Sequence, residues 1–226
     1  MPILILLGIV GLLALIYGPQ YWVRRVMARH SAHRPDFPGT GGELARFLLD
    51  QADLKEIGLE ETLAGTDHYD PIARVVRLSP DNLNGRSVTA VAVAAHEVGH
   101  AIQHRDGDPF LVTRTRWAVG LAGLDKVAFG LLISIPLIGI IVKSPLIAMA
   151  QIVAIFVLLS GRVLMHVLTL PMEIDASFKR ALPVLEHGGF LHGEDLNSAR
   201  QVLKAAAGTY IASALATLLD VVRWIR

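Results

Sequence analysis

The chain has no cysteine, few aromatic residues (6%) and few charges (18%). Each shortage excludes something. Without cysteine there are no disulfides, no thiolate metal ligands and no cysteine nucleophile. An ordinary soluble domain is about 25% charged. A charge deficit with a mean hydropathy of +0.49 predicts lipid as part of the solvent. The net charge of +1 gives no basic field for nucleic acid. With aromatics scarce, the 53% hydrophobic content is mostly aliphatic, as in membrane helices. At 226 residues the chain has room for one or two domains.

The apolar residues cluster. Pro2 to Val23 precede the first charge, Arg24, a run of roughly the 20 residues that cross a hydrocarbon core. Tyr17, Tyr21 and Trp22 end it like an aromatic belt, and Arg24, Arg25, Arg29 and Arg34 follow it. Positive charge after the run, not before it, predicts an uncleaved anchor that leaves the next segment in the cytoplasm. A second run, Trp117 to Val142, carries Asp125 and Lys126 and an expected kink at Pro136. After a turn at Lys143, Ser144 and Pro145, a third run extends from Leu146 to Leu170. The two predict a hairpin that returns the chain to the side it left. A weaker run, Ala205 to Val222, is rich in the small residues that pack helices together. The expected division is an anchor at 1–23, a cytoplasmic domain at 24–116, a transmembrane hairpin at 117–170, cytoplasmic helices at 171–204 and a C-terminal helix at 205–226.

Residues 24–116 read as a folded α+β unit. Thr40 and Glu43 form the capping box of an amphipathic helix reaching about Ala52, with Leu44, Phe47 and Leu48 inward. Ile57, Leu59, Glu61 and Leu63 alternate in polarity as a strand does. Residues 66–70 and 74–78 predict a hairpin shaped by Asp70 and Pro71. The second of these strands, Arg74 to Leu78, is a candidate edge for an extended substrate. Ser87 then caps a helix over Val88 to about Gln103.

That helix contains His96, Glu97 and His100 in an H-E-x-x-H motif. Residues four apart share a helical face, so both imidazoles can bind one zinc ion. Glu97 lies about 100° around the helix. It can therefore serve a metal-activated water as general base and acid without ligating. A hydrolytic zinc site needs a third protein ligand and an open position. Asp106 stands where the third histidine of a metzincin would be, and His104 is too far along the axis to share the ion. A carboxylate just beyond the third run remains, with Glu173 favoured and Asp175 the competitor. The even number of expected spans between His100 and Glu173 places both on one side. His166 and His68 are candidates for accessory roles, read more simply as interfacial and turn residues. His30, His33, His187 and His192 read as surface residues.

The sequence resembles the YugP-like bacterial neutral zinc metallopeptidases over nearly its whole length. The resemblance rests on the N-terminal apolar run, Thr66 to Pro71 (TDHYDP), Val76 to Ser79 (VRLS), Ala90 to Gln103 (AVAVAAHEVGHAIQ), the segment holding Leu170, Pro171 and Glu173, and the Ala-rich C-terminal helix. It also resembles HtpX-type membrane gluzincins, whose E-x-x-A-D carries the glutamate ligand. Here Glu173 and Ala176 match, and Ser177 replaces the aspartate. The resemblance implies a membrane-bound zinc endopeptidase with ligands His96, His100 and Glu173. It leaves the supporting role of the missing aspartate to Ser177 or Asp175.

The expectation is a mainly α membrane protein: a zincin-like α+β catalytic domain with a small β-hairpin or sheet, packed on three to four transmembrane helices of the bacterial inner membrane. It binds one zinc ion at the cytoplasmic face and acts on polypeptides in or near the bilayer, with no nucleic-acid partner. Two alternatives stand beside it. One is a site-2-type intramembrane protease with Asp175 as third ligand. The other is a zinc-stabilised scaffold that cleaves nothing.

Overall fold

The computed structural model describes residues 2–142 and 144–224. Four long helices, α1 (Pro2–Arg29), α5 (Pro109–Val142), α6 (Pro145–Ile174) and α8 (Gly193–Trp224), frame shorter elements. Those are α2 (Gly41–Gln51), β1 (Gly58–Glu61), β2 (His68–Asp70), β3 (Val75–Leu78), α3 (Pro80–Leu83), α4 (Val88–Arg105) and α7 (Leu182–His187). A π-helical segment, Asp175–Ala181, joins α6 to α7.

The predicted capping box opens α2: Thr40 Oγ1 accepts the Glu43 amide and the Glu43 carboxylate accepts the Thr40 amide. Leu48 is buried, but Phe47 faces outward, edge-on to Phe190. The sheet has the order β1-β3-β2. The expected hairpin is β2 and β3, antiparallel, with Asp70 Oδ1 accepting the amides of Ile72 and Ala73 across the turn. Strand β1 pairs parallel on the other side of β3. Residues 74–78 are therefore central, with both backbone edges paired, and offer no edge to a substrate. The exposed edges belong to β1 and β2.

Helix α4 is buried on every face from Val88 to Ala101. Its alanines let neighbours approach closely, and the core collects around it from α2, the sheet, α7 and the first half of α8. Helices α5 and α6 pack as a hairpin, and α8 packs along both α1 and α6. Pro171 lies inside α6, which runs on without a break into the π-helical segment.

The expectation of three to four transmembrane helices is corrected: among the described residues, no helix is long and apolar enough to cross a membrane. Length alone does not make a span, which needs about 20 consecutive apolar residues. Arg114, Arg116 and Lys126 stud the first half of α5, and Glu194, Asp195, Arg200 and Lys204 make the start of α8 polar. Helices α1 and α6 offer no sufficient run within the described residues. Lys143 and Arg226 and the side chains of Asp125, Arg162, His166 and Arg223 lie outside what is described.

Candidate metal centre

His96 and His100 are one turn apart on α4, their rings 4.7 Å apart centre to centre. The α5–α6 hairpin carries the chain away and back, and the end of α6 brings Glu173 against α4. Glu173 Oε2 lies 3.2 Å from His96 Nε2 and 3.3 Å from His100 Nε2. All three side chains are buried. Their ligand atoms lie within 4.8 Å of one another.

The hydrogen bonds behind the imidazoles fix what those atoms present. Gln103 Nε2 donates to the Met172 carbonyl at 2.9 Å and to Asp175 Oδ2 at 2.8 Å. Both partners are acceptors, so the amide orientation is set and Oε1 faces His100 Nδ1 at 2.9 Å. That oxygen can only accept, so Nδ1 carries the proton and, in the neutral ring, Nε2 presents a lone pair. Ser177 Oγ donates to the Leu203 carbonyl and stands 3.0 Å from His96 Nδ1, where it accepts. His96 Nε2 is thus also a lone pair. Neither Glu173 oxygen has a hydrogen-bond partner among the described residues. Three buried acceptors converge on one point with no donor between them. Such a cluster repels itself unless a cation sits there, and two imidazoles with one carboxylate match the donor set of a catalytic zinc site. The residues fit the ion.

Glu97, one residue past His96, is buried outside the ligand group. Burial pushes its carboxyl up to about 7, with His96 and the Tyr69 amide opposing. At Gly99, two residues on, the packing is tight: a Cβ there would lie 3.0 Å from the Ala176 carbonyl oxygen. This close approach seats the π-helical segment on α4. An extra residue wound into one turn marks functional sites in many helices. Here it follows Glu173 directly and places Asp175 on Gln103 and Ser177 on His96.

The other candidates fall elsewhere. Asp175 joins Gln103 and Arg180, and Arg180 continues to Asp106. His104 pairs with the Tyr69 hydroxyl at 2.8 Å. His68 is exposed, beside Arg77 and the Thr66 carbonyl. Asp67 accepts the amide and hydroxyl of Ser79. Gln103 was not singled out from the sequence, although it lies three residues after His100 and seven after His96, on the metal-facing side of the same helix.

A buried helix presenting two histidines and a glutamate, met by a carboxylate from a later helix, forms a group that could hold one metal ion. A family described as "Putative neutral zinc metallopeptidase" matches residues 4–226. The chain is 35% identical over 223 residues to "Putative membrane protease YugP" of Bacillus subtilis (strain 168), covering 96% of this chain and 92% of that protein. The chain belongs to this neutral zinc metallopeptidase family, and zinc is the cofactor its ligand group suits. No solved structure matches it.

Proposed function

We propose that this protein is a zinc-dependent endopeptidase that hydrolyses peptide bonds with Glu97 as its general base and acid. The observation that carries the reading is the pairing of three converging acceptors with a fourth buried carboxylate, Glu97, that does not join them. A structural zinc site closes its coordination with four protein ligands and has no use for such a neighbour. Zinc, when bound, supplies Lewis acidity to the substrate carbonyl and to water. The chain's own residues do the rest. Gln103 and Ser177 hold the imidazoles so that Nε2 faces the ion. Glu97 takes a proton from the attacking water as its oxygen adds to the carbonyl carbon. As the C–N bond breaks, Glu97 returns that proton to the leaving amine. Strand β2 packs against α4, so an extended peptide added to its edge lies beside Glu97.

The reading includes association with a membrane, close to polypeptides in or near it. The relative's name says membrane protease. Leu6, Leu7, Val10 and Leu13 on α1, with Ile152, Val153, Phe156 and Val157 on α6, are exposed apolar side chains. Exposed apolar stretches of this kind, one on each helix, mark interaction surfaces. Arg24, Arg25 and Arg29 follow the α1 patch and suit the anionic cytoplasmic leaflet.

The test compares wild type with Glu97→Gln for zinc content and cleavage of an unfolded polypeptide. The expected result is equal zinc and cleavage slower by about 10²–10⁴-fold. Equal cleavage overturns the role of Glu97. Zinc binding with no cleavage by wild type of any polypeptide supports the scaffold reading instead. The same preparation should float with anionic vesicles, and failure to float removes the membrane part.

A further inference from the structure

Each imidazole of the centre has a side chain that fixes it. Glu173 has no closed hydrogen bond among the described residues. A ligating carboxylate is ordinarily steadied by a partner of its own, and helix α8 supplies a candidate.

The Ser177 contact with the Leu203 carbonyl, 3.3 Å, sets the register between the π-helical segment and α8. Helix α8 continues from there along α6 in the opposite direction. Tyr210 lies seven residues beyond Leu203, two turns on, about 10 Å further along the same face. Long helical side chains lean back toward the N-terminus of their helix by about a turn. That brings the Tyr210 hydroxyl level with Glu173, four residues before Ser177. On this register, with α8 packed on α6, the Tyr210 hydroxyl faces the end of α6 that carries Glu173. Its oxygen accepts from Arg114 Nη2 at 2.8 Å, and the guanidinium lies over the ring, 5.4 Å from its centre.

We propose that Tyr210, held by Arg114, is the positioning residue for the third metal ligand, its hydroxyl donating to the Glu173 carboxylate and aiming that group at the zinc. The proposal rests on the zinc-binding part of the reading above, and not on proteolysis. A phenol whose oxygen already accepts from a cation is a better donor. The rest of the chain can thereby act on the centre: Arg114 is in α5 and Tyr210 in α8, so both long helices are tied to the ligand that arrives on α6.

The experiment measures zinc affinity of the purified full chain by competition with a chromophoric chelator. Tyr210→Phe keeps the ring and removes the hydroxyl, and should weaken zinc binding about ten-fold or more. Arg114→Gln should weaken it in the same direction. The double variant should be no weaker than Tyr210→Phe, because Arg114 acts through the missing hydroxyl. Tyr17→Phe, on an exposed tyrosine of α1, should bind as wild type does. The helical signal and melting of the zinc-free forms should match throughout, which a general packing defect would not permit. Wild-type affinity in Tyr210→Phe overturns the proposal. A double variant that loses the product of the two single factors overturns the part given to Arg114. Should Tyr210→Phe fail to fold, Arg114→Gln decides alone: weaker binding supports the proposal and unchanged binding overturns it. A wild type that binds no zinc overturns the centre itself, a result distinct from all of these.

Discussion

Gln103 shows how much a single side chain decides at this centre. Its amide binds three different groups, and the two acceptors on its nitrogen leave only its oxygen for His100. The tautomer of a metal-binding histidine thus follows from a residue that never touches the metal. Gln103→Leu removes the acceptor behind His100 and strips Asp175 and the Met172 carbonyl of a donor. It should weaken zinc affinity about 10–100-fold, measured by chelator competition. A variant that keeps wild-type affinity would show that the tautomer is set some other way. Ser177 plays the same part behind His96 with one weaker hydroxyl, in place of the aspartate of the similar E-x-x-A-D motif.

At the scale of elements, the seating of the π-helical segment on α4 fixes the distance between the histidines and Glu173. Gly99 is the contact point. In Gly99→Ala the new Cβ meets the Ala176 backbone at 3.0–3.6 Å, and two helical backbones yield less readily than a flexible side chain. The substitution should destabilise the protein by about 1–3 kcal/mol and widen the ligand triangle. The checks are a lower melting temperature together with weaker zinc binding. A melting temperature equal to wild type would mean that the segment moves freely, contrary to the packing described. The hairpin is more local: Asp70 shapes it by accepting two turn amides. Strand β1 is the contrast, because its parallel partner lies seventeen residues away, Gly58 aligned with Val75 and the whole of β2 between them.

For the whole molecule, the centre joins segments that are distant in sequence. His96 and Glu173 come from opposite sides of the α5–α6 hairpin. The unfolded chain therefore has no equivalent site, and zinc bound to the folded form stabilises it. Free zinc at about 100 times its dissociation constant should add roughly 2.7 kcal/mol. Chelation should lower the melting temperature and added zinc restore it, while Glu173→Ala should abolish the response. A melting temperature indifferent to zinc in the wild type would remove the ion from the folding balance. The four long helices lie where the apolar runs predicted helices, but helix α5 begins eight residues before its run and α6 continues four residues past its own. Those extensions carry Arg114 and Glu173.

By itself the sequence determined what is local. The histidine pair follows from i, i+4 spacing, the caps at Thr40 and Ser87 from side chains next to the amides they bind, and the hairpin turn from Asp70 and Pro71. Glu173 was legible through resemblance and through the reasoning that a hairpin returns the chain, but its contest with Asp175 was not settled by spacing. Tertiary structure settled which carboxylate faces the histidines: Glu173 meets both rings, while Asp175 bonds Gln103 and Arg180. It alone decided that Arg74 to Leu78 is central, since strand partners depend on chain paths and not on the polarity of one segment. It alone brought Tyr210 of α8 onto Arg114 of α5, because contacts between helices are set by packing registers that no single helix encodes. Long apolar runs predicted helices correctly and membrane crossing without support, since hydropathy sums side chains and cannot tell which of them face protein.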